Sequence, residues 1–422
     1  MLRLAGQHTD QSCVAEQCAW RGPRDVRLTV SRLSLSHLDG AAAAADCHKR
    51  LVSLCPTWMA PLPLLTGTNA APSGGVSVSQ LGYEGRAADD QMVSDMVCGY
   101  GCANGVESDH VIEERHVVTG AVPSDLFGTW YHNGPGQMER GGVSLSQPFD
   151  GDGFVTALSL RDGRAHFRSR FVATAQREEE ERRGRFLYRG AFSAGNPAGG
   201  VLFNPFDLDV KNVSNTGLLA WRGEGGAPEL LSLHEAGLPH RLCARTLRTL
   251  GETDLGGGIE GGVLAAHYRI TADRVTNFGA EVVGGRDSRV VFYEWERPDL
   301  KGAAAALGPP ELLSKTVYTI DNGAFGFYHD HAVTQSSYIL YENPTRLDLR
   351  RFFTQYALGR ASIAECIQYD GESRSLRLHL LPRPRPGLRS AEAARRSFDI
   401  GPGFVFHIIK CVCAPSAEDR SS

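Results

Sequence analysis

The stretch FDGDGFVTALSLRDGRAHFRSRFV, residues 149–172, decides how the rest of the chain is read. An Asp-Gly-Asp-Gly turn opens it and the apolar-rich run 154–160 follows. Arg161-Asp162-Gly163 interrupts that run, and 165–172 resumes it. Short runs of β-branched and aromatic residues punctuated by Gly and Asp are the pattern of antiparallel strands joined by tight turns. The same texture recurs at 230–233, 289–295 and 337–341. Strands at this spacing mean an all-β sandwich, barrel or propeller. Gly151 and Gly153 are expected to supply positive φ in the opening turn, and Asp150 and Asp152 to serve that turn rather than bind calcium. Helix is expected only over 347–358 and 391–396.

Composition agrees with this reading. The 422 residues include 48 Gly and 21 Pro with 42% hydrophobic residues, a load of turn formers that suits many short strands. A net charge of −4 with both signs dispersed offers no basic surface for nucleic acid. The mixed-sign run 177–185 (REEEERRGR) is expected to be a solvated loop. No apolar run approaches the ~18 residues of a membrane-spanning helix, and residues 1–20 lack the apolar core of a secretory signal. Six of the ten cysteines (Cys13, Cys18, Cys47, Cys55, Cys98, Cys102) fall in the first 102 residues without zinc-module spacing, which predicts free thiols in a reducing compartment.

Three regions are expected. Residues 1–108 read as a disordered leader, with an Ala run at 41–45 and apolar segments broken by Pro61 and Pro63. Its Arg, Ser and Ala suit an organelle transit peptide, a plastid one included, whereas Asp10, Glu16, Asp25, Asp39 and Asp46 count against it. Without such a peptide the expected location is cytoplasmic and peripheral to membranes. Residues 109–409 form the β domain, and 410–422 a divergent tail.

The fourteen histidines carry the chemistry. His8, His37, His48, His110 and His116 lie in or beside the leader. His132, His166, His234, His240 and His379 lack metal-motif spacing and read as surface or satisfied core residues. Three others sit in distinctive stretches: His267 in AAHYRI, His329 in FYHDHAVT and His407 in GFVFH.

These stretches resemble, in order and separation, the first three iron-binding histidine segments of the carotenoid oxygenase family. The likeness extends to 122–136 (VPSDLFGTWYHNGPG), the FDGDG turn, 165–172, 211–216 (KNVSNT) and 233–239 (LHEAGLP), covering about 113–409. It implies a seven-bladed β-propeller with Fe(II) on its axis, a place where inner strands of different blades can aim one side chain each at a common point. Four neutral imidazoles would leave the ion its full charge and open positions for O₂. The resemblance makes His267, His329 and His407 metal ligands and Glu235 a carboxylate that orients one of them. His331 stands two residues after the family's ligand position and is expected not to bind. Lys211, Asn212 and Asn215 are expected to satisfy backbone groups between blades. The aromatics around 186–206 correspond to an apolar patch at the family's tunnel mouth, through which a membrane-dissolved substrate would enter.

The sequence also departs from the family. Residues 408–413 read IIKCVC where the family has Asn-Ala, an aromatic and an acid, and Gln147 stands where many members have histidine. No histidine follows His407, so the fourth ligand, two glutamates and the strands that close the ring have no counterpart. Two functions are therefore expected. One is an iron(II) dioxygenase that cleaves a C=C bond of a carotenoid or apocarotenoid to two carbonyl products. The other is a truncated, non-catalytic member with an incomplete propeller that holds iron weakly and at most binds an apolar ligand.

Overall fold

The computed structural model describes residues 104–112, 121–193, 202–283, 287–298, 308–321, 326–384 and 395–408. The leader as far as residue 103, with its transit-peptide reading, and the tail from 409 onward lie outside them. Asn104, the first described residue, already joins the β domain: its side chain accepts from the Met138 and Glu139 N–H groups and donates to the Glu139 carbonyl.

The described residues build four four-stranded sheets in succession, with strands paired antiparallel. The first holds β1 (Ser108–Ile112) and β2 (Gly128–Gln137), then, after the short hairpin β3 (Glu139–Arg140) and β4 (Val143–Ser144), β5 (Asp152–Arg161) and β6 (Arg164–Phe171). Its order is β1-β6-β5-β2. The β5–β6 turn is Asp162-Gly163, with φ of 51° and 71°, the two-residue hairpin whose twist matches that of the strands.

The opening turn works differently from the expectation. Gly151 has φ −67°, and Gly153 is not among the positive-φ glycines. Space, not handedness, demands glycine there: a Cβ on Gly151 would lie 2.8 Å from Met138 Cε, and one on Gly153 would lie 2.2 Å from the Ser214 carbonyl. The carboxylates do serve structure. Asp150 accepts from the N–H groups of Ala191, Phe192 and Ser193, and Asp152 pairs with Lys211 and Arg140.

The second sheet is β7 (Gly217–Arg222), β8 (Pro228–Leu233), β9 (His240–Cys243) and β10 (Thr249–Glu252); the third is β11 (Arg269–Ile270), β12 (Arg274–Val283), β13 (Asp287–Glu296) and β14 (Leu312–Asp321). The fourth opens with β15 (His331–Val333) and β16 (Ser337–Glu342). The small pair β17 (Thr345–Leu347) and β18 (Ile367–Tyr369) interrupts it, and β19 (Leu376–Pro382) and β20 (Arg396–Gly401) complete it.

Successive sheets stack face to face. Val155 and Ala157 of the first meet Leu230 and Leu242 of the second. Leu231 and Trp221 meet Trp295 and Tyr293 of the third, whose other face sets Phe278 and Phe292 against Tyr338 and Leu340 of the fourth. A sheet apolar on both faces must be covered on both, and side-by-side stacking of blades is how a propeller does so. Each fully buried large side chain contributes about 1.5–3 kcal/mol.

Helices are few. The run expected as a loop forms α1 (Ala175–Arg183). Thr174 caps it by accepting the Arg177 N–H at 3.1 Å, Glu179 pairs with Arg183 four residues on, and Gly184 ends it at φ 64°. Glu180 is fully buried, so the run is not all solvated. Pairs of opposite charge four residues apart were the helical signal in this sequence. The helix expected over 347–358 shortens to α2 (Leu349–Arg351), capped by Asp348, followed by a π-helical turn at Phe352–Tyr356. Arg396, expected to end a helix, begins β20; residues 391–394 lie outside the described set. Cys243 and Cys366 are free thiols, and among the described residues no helix is long and apolar enough to cross a membrane.

Candidate metal centre

Two of the histidines hold equivalent places in the fold. His267 lies two residues before β11 and His329 two residues before β15, each at the opening strand of a sheet. His407 follows β20 on residues 403–408, which have no strand partner among the described residues. Residues far apart in sequence meet here. Nε2 of His267 lies 2.9 Å from that of His329, His329 Nε2 lies 3.1 Å from that of His407, and His407 Nε2 lies 3.2 Å from that of His267. Among the described residues the cluster of potential ligand atoms comprises these three side chains.

The donor set fits a divalent metal of the first transition row. Donors at ~2.1 Å from one ion and at right angles lie ~3 Å apart, so the spacings are those of three ligands on one octahedral face. Protonation agrees. Burial, and then the neighbouring His329, lower the His267 pKa to about 4, and burial lowers that of His407; both rings are therefore neutral at pH 7, as ligands must be. Three ring nitrogens this close cannot all satisfy one another, and a cation between them removes the repulsion of their lone pairs.

Glu235, two residues past the end of β8, approaches from behind. Its Oε1 lies 2.6 Å from His329 Nδ1, and among the described residues neither atom has another partner. The contact is close but off the line of an ideal hydrogen bond. A carboxylate there holds the ring proton on Nδ1 and leaves the Nε2 lone pair facing the cluster. The Phe406 ring stacks on a face of the same imidazole, with centroids 3.9 Å apart and planes 17° apart.

The remaining sequence-level candidates separate cleanly. His331 is fully buried and turns away into the core: its Nε2 meets Thr276 Oγ1 at 3.1 Å, and its ring sits against Phe278 and Phe292. Asn215 Nδ2 donates to the carbonyls of Phe149 and Gly151, both at 2.8 Å, tying the second sheet to the first. Asn212 donates to the Leu238 carbonyl. Lys211 instead forms buried ion pairs with Asp152 and Glu180, because two buried carboxylates need a cation beside them. His379 is a core residue between Glu342 at 2.9 Å and Ser397 at 2.8 Å. Sequence reading missed Phe406, Arg269, Asp330 and Asn343. Asp330 and Phe406 are immediate neighbours of ligands, and that adjacency was the available signal.

Comparison with known proteins identifies the family. The family model described as retinal pigment epithelial membrane protein, RPE65, matches residues 105–412. The chain is 38% identical over 304 residues to the apocarotenoid-15,15'-oxygenase of Synechocystis sp., which spans 71% of this chain and 56% of that protein. It is 29% identical over 320 residues to the chloroplastic carotenoid cleavage dioxygenase 7 of Oryza sativa subsp. japonica, covering 63% of this chain and 48% of that one. The crystal structure of cobalt-substituted Synechocystis ACO superposes with a TM-score of 0.61 at 34% identity, over 73% of this chain and 59% of that one. The chain thus spans about half the length of the curated relatives named here. From the matched span and the relatives it aligns with, the chain belongs to the carotenoid oxygenase family, the one whose model is described as retinal pigment epithelial membrane protein, RPE65.

Proposed function

We propose that His267, His329 and His407 together hold one ferrous ion, and that the chain serves a dioxygenase that splits a C=C bond of a carotenoid or apocarotenoid. The observation that carries this reading is the meeting of three imidazoles, with no carboxylate among the donor atoms. A ferrous ion bound there supplies the centre at which dioxygen is activated. The reaction balances without an external reductant: the double bond breaks, and each carbon leaves as a carbonyl with one oxygen atom of O₂.

The protein's own groups have definable tasks. Glu235 keeps the His329 proton on Nδ1. Phe406 and Phe327, whose rings lie nearly parallel to the His329 ring at 3.9 and 6.0 Å from it and 6.1 Å from each other, give the centre an apolar flank suited to a polyene. The names of the relatives support the substrate class. A polyene this apolar arrives from lipid, and the exposed side chains of Phe206 (79%) and Phe353 (64%), with Leu202 and Leu349, support contact with a membrane surface. They lie on adjoining segments, joined where the Phe206 N–H donates to the Ala357 carbonyl at 2.6 Å.

The test is anaerobic loading with Fe(II), then incubation with O₂ and a carotenoid or an apocarotenoid in detergent. The expected products are two carbonyl compounds whose formation is abolished by His329→Ala. Turnover unaffected by that substitution contradicts the reading. Flotation with phosphatidylcholine vesicles, weakened by Phe206→Ser with Phe353→Ser, tests the membrane contact.

A further inference from the structure

His407 is carried by backbone that no strand ladder holds, since residues 403–408 have no strand partner among the described residues. Backbone N–H and C=O groups need partners, and side chains supply them on both flanks of the histidine. Two residues before it, the Val405 N–H donates to Asn343 Oδ1 at 2.7 Å and the Val405 carbonyl accepts from Asn343 Nδ2 at 2.8 Å. One residue after it, the Ile408 N–H donates to Asp330 Oδ2 at 2.8 Å and the Ile408 carbonyl accepts from Arg269 Nη2 at 2.7 Å. A single amide and a single ion pair thus each satisfy both groups of one residue, as a neighbouring strand would.

The same groups reach the other two histidines. Asn343 Nδ2 also donates to the Phe327 carbonyl at 3.2 Å, two residues before His329. Arg269 stands two residues after His267 and Asp330 directly after His329. Arg269 Nη2 lies 2.6 and 2.7 Å from the two oxygens of the Asp330 carboxylate, which also accepts the His331 N–H at 2.7 Å. Asn343 is 1% exposed and Asp330 6%, so water does not compete freely for these bonds.

We infer that Asn343 and the Arg269–Asp330 pair are positioning residues of the metal centre, which fix His407 relative to His267 and His329. This rests on the metal-site reading above and adds to it a device that stands in for a missing strand ladder. An arginine suits position 269 because Nη2 bonds the Asp330 carboxylate and the Ile408 carbonyl while Nη1 donates to the Tyr268 carbonyl at 3.2 Å, so both arms of the planar fork are held, which a lysine ammonium at the end of a flexible stem cannot reproduce.

The experiment is cobalt(II) titration of the full chain, followed by visible absorption and competition with a chelator, as a double-mutant cycle. Asn343→Ala and Arg269→Lys are each made in the parent and in a His407→Ala background, with near-UV circular dichroism to verify packing. In the parent each is expected to weaken cobalt binding by about 10-fold or more. In the His407→Ala background each should change it by less than about 2-fold, because the ligand through which they act is already gone. Equal losses in both backgrounds, or parental affinity in both variants, overturn the inference. If Asn343→Ala loses its packing, Arg269→Lys carries the cycle alone. His329→Ala is the control for the underlying reading: parental cobalt binding in that variant means the site itself is misassigned, whatever the cycle shows.

Discussion

Glu235 Oε1 stands 2.6 Å from His329 Nδ1, and among the described residues neither atom has any other partner. The carboxylate comes from the β8–β9 loop of the second sheet and the imidazole from just before the opening strand of the fourth, so one contact aligns a candidate ligand across the stack. Glu235→Ala is expected to weaken cobalt(II) or iron(II) binding by about 10–100-fold, the usual effect of removing a ligand's outer partner. Glu235→Gln, which keeps a hydrogen-bond acceptor without the charge, should fall between. Anaerobic titration of both variants checks this, and parental affinity in Glu235→Ala would show that the contact is incidental.

His331 offers a contrast only two residues away. It is fully buried between Phe278 and Phe292, and burial lowers its pKa to about 3. His331→Ala should therefore cost about 2–5 kcal/mol of stability through the cavity it leaves, with the metal stoichiometry unchanged. Urea midpoints and metal analysis on the same preparation separate the two effects.

Lys211 is the cation of a buried network, with Nζ 2.5 Å from Asp152 and 2.6 Å from Glu180. Lys211→Met leaves two buried carboxylates short of a partner and should destabilise the domain by about 3–5 kcal/mol. Equilibrium urea unfolding measures it; a change below about 1 kcal/mol would mean that Arg140, 3.3 Å from Asp152, compensates.

His240 predicts part of the acid sensitivity. Burial lowers its pKa to about 4 from the ordinary 6.5, and its Nδ1 has no partner. Below pH 6.5 the unfolded chain takes up a proton that the native state refuses, so stability is lost as pH falls from 6.5 toward 4. The share from this one residue reaches about 3 kcal/mol. His240→Gln should flatten the pH dependence of the urea midpoint between pH 7 and pH 4 by that share, and an unchanged slope would contradict the assignment.

Much of this was legible before the structure. The Asp162-Gly163 turn, the run at 165–172 that follows it and the strands at 230–233, 289–295 and 337–341 are local patterns, and local patterns survive into the fold. The three histidines were found through their surrounding stretches, because their convergence depends on sheets stacking in order, which no spacing rule reveals. Two kinds of feature escaped. Glycines 151 and 153 were assigned to the wrong cause, since the crowding by Met138 and Ser214 comes from residues distant in sequence. The acidic and basic run at 177–185 looked like a loop because Glu180 is matched by Lys211, a partner outside the run. Asn343 and Arg269 read as ordinary polar residues for the same reason: their partners, Val405 and Ile408, lie 62 and 139 residues further along the chain.

The central claim is that three imidazoles share one ion, and metal content tests it most directly. The full chain and its His267→Ala, His329→Ala and His407→Ala variants would be loaded anaerobically with iron(II), desalted and analysed for bound iron. The account predicts bound iron at up to one atom per chain in the parent, with a sharp loss in each variant. Equal iron in the parent and in all three variants would contradict it.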